Sequence, residues 1–306
     1  MRYVVTGGAG FIGSHISKYL VNHGHNVSII DNLYTGKKKN LESIKDKIEF
    51  IEGDITDYKL LEDIIKNSDG IFHQAALASV PESFTMPEKY QDVNVGGTEN
   101  IFKLGKQFDL KIVYASSSSV YGNPKRIPMI ESDEIKPINP YAETKAEKEK
   151  LAIKYSKMGV NIIGLRYFNV YGIGQSKQYA GVIKLFLEQV RNKLPPTING
   201  DGTQSRDFVN VNDVVTANIL SMNSNVQNGF FNVGTNSSIT VLDLAKVIIA
   251  ISGLDLEPIF RPPLQGDVHD SMSNIDLIKN EIGWTPTIKI EDWLKEIITS
   301  NKIDEV

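Results

Sequence analysis

Thr6-Gly7-Gly8-Ala9-Gly10-Phe11-Ile12-Gly13 follows directly on the short apolar run Tyr3-Val4-Val5, and no other stretch constrains the fold as strongly. Its glycines fall at 7, 10 and 13. Residues without Cβ permit a tight turn and let the backbone approach a bulky anion closely. Phe11 to Val21 reads as a helix, with its free amides and positive end facing whatever the loop encloses. A second strand, Val27 to Ile30, ends at Asp31. Strand, glycine turn, helix, strand and acid together predict a dinucleotide-binding unit, with Asp31 accepting hydrogen bonds from the adenosine ribose. A carboxylate there repels a 2′-phosphate, which favours NAD over NADP, although Lys37-Lys38-Lys39 lie close by. A glycine turn followed by a capping Asp is the bland alternative. Asp54, after a third strand, suits an adenine contact or a helix cap equally.

The alternation continues. Ile48 to Ile51, Gly70 to His73, Lys111 to Tyr114 and Asn161 to Gly164 read as strands, and the stretches between most of them are long enough for crossover helices. This predicts an α/β chain: a Rossmann-type doubly wound parallel sheet with a smaller C-terminal α/β substrate lobe. The expected domains are 1–169 for NAD and 170–306 for substrate, with a segment near 207–233 packing back on the first. Pro195-Pro196 and Pro262-Pro263 break the later, irregular half.

With 41% hydrophobic and 23% charged residues the 306-residue chain is composed like a globular protein, which argues against disorder. A net charge of −4 gives no basic field for nucleic acid. Without cysteine there is no disulfide, thiolate catalysis or thiolate metal site, and no metal is expected. The strand beginning near the first residue leaves no room for a signal peptide, and Val247 to Ile251 is too short to span a bilayer. The expectation is a soluble cytoplasmic protein.

Asn139-Pro140-Tyr141 opens another helix, with Asn139 as N-cap and Pro140 in the first turn. Tyr141 and Lys145 then share a face. A phenol titrates near pH ~10, too high for a base at neutrality. A nearby ammonium, a cationic nicotinamide and the helix N-terminus would each favour the phenolate. Such a pair is common on helix surfaces and gains meaning only downstream of a dinucleotide loop. Lys111 to Ala115 runs into Ser116-Ser117-Ser118-Ser119, where a hydroxyl can hold a substrate oxygen beside the tyrosine. Four serines suit a solvated turn as well, and spacing alone does not choose among them.

TGGAGFIGSH, SSSSVYG, YAETK and LRYFNVYG resemble the extended short-chain dehydrogenase/reductases. Within them the chain is similar to UDP-hexose 4-epimerases, closest to those acting on UDP-N-acetylglucosamine, from Met1 to about Trp284. The resemblance implies Ser117 as catalytic hydroxyl, Tyr141 as general base and Lys145 as its partner. It implies NAD contacts at Gly7, Gly10, Phe11, Ile12, Asp31, Asn32, Asp54, Ile55, Gln74, Ala75, Ala76, Asn94 and Tyr167, besides Tyr141 and Lys145. It implies substrate contacts at Ser79, Ser117, Ser118, Tyr141, Asn169 and Val182, and at Arg206 for the diphosphate. Asn232 and Asp267 resemble uridine and ribose contacts. Leu264 stands where many relatives carry arginine, so Arg261 either replaces that cation or has no role.

The implied chemistry is proton removal from the sugar's 4-hydroxyl by Tyr141 and hydride transfer to NAD. A transient 4-keto sugar then turns over while UDP stays anchored, and the hydride returns to its opposite face. Ser271 occupies the place where, in relatives, a tyrosine closes the pocket to acetamido groups, and QAALASVPES resembles the acetamido-sugar group. The expected substrates are UDP-GlcNAc and UDP-GalNAc, with UDP-glucose/UDP-galactose next and UDP-glucuronate after. A 4,6-dehydratase would carry Asp-Glu at Ser118-Ser119, a decarboxylase would need a cation facing the sugar carboxylate, and a non-catalytic NAD-binding regulator would have lost Tyr141 or Lys145. A homodimer through helices at Thr98 to Lys106 and Pro140 to Tyr155 is expected by the same resemblance.

Overall fold

Tyr3 and Val5 project to one side of the first strand and Val4 to the other, and all three are buried. A strand covered on both faces belongs inside a parallel sheet. The computed structural model describes residues 1–175, 181–263, 268–300 and 302–306. The first lobe runs β1 (Arg2–Thr6), α1 (Phe11–Asn22), β2 (Asn26–Asp31), β3 (Ile48–Glu52), α2 (Tyr58–Ile65) and β4 (Gly70–His73). The short helices α3 (Val80–Thr85) and α4 (Pro87–Tyr90) lead through a π-helical stretch at Gln91–Gly96 into α5 (Gly97–Gln107). Then come β5 (Lys111–Ser117), α6 (Pro140–Ser156) and β6 (Ile162–Tyr167). Every strand read from the sequence is present, and β5 and β6 extend a few residues further toward the site.

The second lobe starts with β7 (Asn169–Tyr171), α7 (Val182–Arg191), β8 (Thr197–Asn199), β9 (Ser205–Arg206) and β10 (Phe208–Asn210). The chain then returns through α8 (Val211–Asn223), which packs on α1, to β11 (Asn228–Val233). It ends with β12 (Ile239–Thr240), α9 (Val241–Ser252), β13 (Ile259–Arg261), α10 (Asp276–Ile282) and α11 (Ile290–Thr299).

The main sheet has seven strands in the order β3-β2-β1-β4-β5-β6-β11, with every adjacent pair parallel. The order reverses direction between β1 and β4, and in such sheets ligands bind beyond the strand carboxyl ends at that switch point. One core layer joins Ile16 and Leu20 of α1 to Val5, Phe72 and Leu165, and the other joins Leu61, Ile101 and Phe102 to Val4, Ile71 and Ile112. At roughly 1.5–3 kcal/mol for each fully buried Leu, Ile or Phe, these layers dominate the stability of the frame. The second lobe has its own core, where Phe186 and Leu187 of α7 meet Leu244 and Ile248 of α9 and Trp293 and Leu294 of α11. Its strands pair only in twos: β7 with β10, β8 with β13, β9 with β12. Among the described residues no helix is long and apolar enough to cross a membrane.

Candidate active site

The carboxyl ends of β1, β4, β5 and β6 open on one crevice of about 800 Å³. Gly7 takes a φ of +67°, and a Cβ there would lie 2.7 Å from the Ala75 backbone nitrogen. A Cβ at Gly13 would lie 2.2 Å from the Gly7 carbonyl oxygen. The loop is therefore closed to side chains by its own backbone. Gly10 caps α1 without any side-chain hydrogen bond, so the first amides of the helix remain available to an anion. This cradle fits a dinucleotide pyrophosphate.

Asp31 ends β2 on the crevice wall. Its carboxylate accepts from the Ala9 amide at 2.9 Å and the Leu33 amide at 2.8 Å. Burial pushes its pKa up while these amides, with that of Gly10, pull it back. Asp31 thus ties the glycine loop to β2 as well as facing the crevice. Gly7, Gly10, Phe11, Ile12, Asn32, Ile55, Gln74, Ala75, Ala76 and Tyr167 line the same space. The structure does not bring Asp54 and Asn94 to that wall. Asp54 accepts from the Asn32 amide at 2.7 Å and from Thr56, so it holds Asn32 in place. Asn94 is fully buried, accepting from the Leu77 amide and donating to the Leu77 carbonyl and to Thr144. It joins the loop after β4 to α6.

Asn139 caps α6 by accepting from the Ala142 amide at 2.8 Å, and Pro140 opens the helix, as the sequence predicts. Tyr141, Lys145 and Ser117 meet on the crevice wall. The Ser117 hydroxyl faces Tyr141 and accepts from the Ser119 amide at 3.2 Å. Lys145 Nζ donates to the Ala115 carbonyl at 2.9 Å and stands 5.6 Å from the Tyr141 ring centre. Burial raises the Tyr141 pKa, and the neighbouring Ser117 hydroxyl opposes it. Burial also lowers Lys145 to about 8, with Glu149 pulling the other way. In a buried wall of low dielectric the Lys145 ammonium, 5.6 Å from the ring centre, favours the phenolate, as does the α6 N-terminus, and the cationic ring of NAD would add to both. The second crevice tyrosine, Tyr167, is clamped by Gln74 and Asn218, and burial pushes its phenol up, which suits a neutral hydrogen-bonding wall.

The predicted substrate residues are more scattered. Ser79 caps α3, accepting from Glu82, and Ser118 opens the turn after β5. Asn169 donates to the Asp207 carbonyl at 3.1 Å, and Val182 begins α7. Arg206 donates to the Ser205 and His269 carbonyls, and the Ser271 amide donates to the Ser205 carbonyl at 3.1 Å, which places Ser271 beside the Arg206 strand. Arg261 is exposed on β13, while Leu264 and Asp267 lie outside the described residues. Asn232 departs from its expected uridine contact. It is fully buried, accepting from Tyr121 at 2.6 Å and donating to the Met129 and Asn274 carbonyls. A side chain walled in by three partners has no free edge for a base.

Sequence reasoning missed Glu149 and Arg166, whose buried pair lies directly behind the serines. A charged residue inside the apolar run Ile162 to Tyr167, and an acid one turn beyond Lys145, were the available signals. It also missed His15, Lys18 and Asn40 on the crevice wall.

A family model described as the NAD dependent epimerase/dehydratase family matches residues 3–234. The chain belongs to that family. It is 40% identical to the putative UDP-glucose 4-epimerase of Methanocaldococcus jannaschii over 96% of both chains. Its fold is similar to the UDP-N-acetylglucosamine 4-epimerase of Methanobrevibacter ruminantium solved with UDP-N-acetylmuramic acid, with a TM-score of 0.93, 36% identity and coverage of 99% and 98%. It is equally similar to the UDP-glucose 4-epimerase of Thermotoga maritima solved with UDP-glucose, with a TM-score of 0.93, 35% identity and 99% of both chains. The chain stands among the UDP-sugar 4-epimerases of its family and is an NAD-dependent epimerase.

Proposed function

We propose that this epimerase inverts C4 of a UDP-linked N-acetylhexosamine, interconverting UDP-GlcNAc and UDP-GalNAc. The observation that carries a C4 inversion is the meeting of Ser117, Tyr141 and Lys145 at the switch-point crevice. Bound NAD supplies a reversible hydride acceptor. Tyr141 takes the proton from the 4-hydroxyl and gives it back, Ser117 orients that hydroxyl from beside the phenol, and Lys145 holds the end of β5 in register. Burial of Tyr141 means that it is a competent base only when positive charge stands beside it, which couples proton removal to the Lys145 ammonium and to an occupied, oxidised cofactor site.

The acetamido preference is supported by the small, buried Ser271 beside the Arg206 strand and by the similarity to a UDP-N-acetylglucosamine 4-epimerase. The second reading, UDP-glucose/UDP-galactose, is favoured by the names of the other relatives. Purified protein incubated separately with UDP-GlcNAc, UDP-glucose and UDP-glucuronate, with and without added NAD, tests it by separation of the products. Faster turnover of the acetylated sugar supports the proposal, and turnover of UDP-glucose alone rejects it.

A further inference from the structure

Two consecutive residues at the end of β5 are each held by a side chain of α6, and the third faces that helix. Lys145 Nζ donates to the Ala115 carbonyl at 2.9 Å, the Ser116 hydroxyl donates to Glu149 at 2.6 Å, and Ser117 stands with Tyr141 on the crevice wall. Residues 141, 145 and 149 recur every four positions and form one helix stripe. Glu149 is in turn locked from behind. Arg166 on β6 donates to both of its carboxylate oxygens, at 2.9 and 2.7 Å, and the two side chains are 3% and 2% exposed. The guanidinium also donates to the Tyr121 hydroxyl and the Glu131 carbonyl, and lies 4.9 Å from the Tyr121 ring centre and 5.3 Å from that of Phe230. A buried ion pair gives little net stability over a well-packed apolar pair. This one sits where it bears on the reacting groups.

Few charges surround Lys145. On its own helix are Tyr141, Lys148 and Glu149. His73 approaches from β4, and Tyr167 and Arg166 stand on β6. From the elements packed outside α6, Glu99 of α5 is engaged with Lys154 and Tyr155 far down the helix, Glu82 of α3 bonds Tyr34 and Tyr90, and Asp92 of the π-helical stretch is exposed. Of these groups, Glu149 is the anion buried next to the lysine.

We infer that Glu149, clamped by Arg166, is a positioning residue of the active site: it fixes Ser116, and so the Ser117 hydroxyl, and its charge keeps Lys145 an ammonium. The inference rests on the reading of Ser117, Tyr141 and Lys145 as the reacting group. Burial alone draws Lys145 down toward neutrality, and the Glu149 carboxylate opposes that loss.

The test compares kcat–pH profiles at saturating UDP-GlcNAc or UDP-glucose, whichever is turned over, for the holoenzyme and for Glu149→Gln, Ser116→Ala and Tyr141→Phe, with bound NAD quantified in each. The wild-type profile should fall on the alkaline side near the Lys145 value of about 8. Glu149→Gln should move that limb down by about one pH unit or more while KM is kept. Ser116→Ala should lower kcat without moving the limb. If Glu149→Gln folds poorly, the double variant Glu149→Gln with Arg166→Met removes both buried charges and should show the same shift. An unmoved limb in the folded variant overturns the inference. Activity surviving in Tyr141→Phe overturns the underlying site reading, whereas an inactive Tyr141→Phe with an unmoved Glu149→Gln limb overturns this inference alone.

Discussion

The two halves of this epimerase solve the binding problem differently. In the first lobe the groups that face the crevice hang on strand ends of a seven-stranded parallel sheet, and the backbone itself closes the glycine loop. In the second lobe strands of two or three residues pair in twos: Arg206 lies on β9, paired with β12, and donates to the Ser205 and His269 carbonyls, and the Ser271 amide donates to the Ser205 carbonyl. The first arrangement leaves no room for adjustment. The second packs its own core behind short paired strands, with fewer backbone bonds holding Arg206 and Ser271. On the proposed reading, chemistry is built on the first lobe and selectivity on the second.

The strongest challenge to this contrast is Tyr141→Phe. It should lower kcat by about 10²–10⁴-fold with the far-ultraviolet spectrum and NAD content unchanged, and near-normal turnover would remove the first lobe's claim to the chemistry. Gly13→Ala attacks the first lobe through its backbone. A methyl 2.2 Å from the Gly7 carbonyl oxygen has nowhere to go. NAD retention should weaken by about 10–100-fold, from strain of roughly 1–3 kcal/mol, and equilibrium dialysis that finds no weakening would show the loop to be pliable. Ser271→Tyr probes the second lobe: the ratio of acetylated to unacetylated turnover should fall about tenfold or more, while equal losses on both sugars would break the link between this lobe and selectivity.

The smallest effect concerns a group that the chemistry does not use. Lys148 is fully buried, with no hydrogen-bond partner for its amine, and burial together with Lys145 holds its pKa well below the usual lysine value. Lys148→Met should stabilise the fold by about 1–3 kcal/mol, and a lower denaturation midpoint would contradict this. The same desolvation fixes a sign. Lys145 titrates at about 8 in the folded chain against 10.5 when free, so between those values the unfolded chain binds more protons and stability rises with pH. Above about pH 10 free tyrosines begin to ionise and the buried ones resist, which reverses the trend. Melting temperature should therefore climb between pH 8 and 10 while activity declines, and a steady fall in both would mean that the lysines are solvated.

The first lobe was also the legible one. Alternating β-branched runs, three glycines and a helix opened by Asn139-Pro140 each obey a local rule, and the structure has the strands, the loop and the cap in those places. The meeting of Ser117, Tyr141 and Lys145 was read from a resemblance, and the geometry brings them to one wall. What escaped were partnerships between residues far apart in the chain. Asn232 looks like a base contact until Tyr121, Met129 and Asn274 are seen to surround it. Glu149 and Arg166 drew no attention in the sequence, and the structure pairs them in the interior behind the serines. No periodicity encodes such pairings, because they depend on which strands end up adjacent.

The seventh strand carries a consequence for how the gene product can be divided. Residues 228–233 complete the main sheet beside β6 only after the chain has traversed β7 to β10. A fragment cut after Asn169 would leave the β6 edge bare, its row of amides and carbonyls open to any passing strand. Such a fragment should aggregate when produced alone, and the halves cannot be exchanged between homologues by a single crossover at that point.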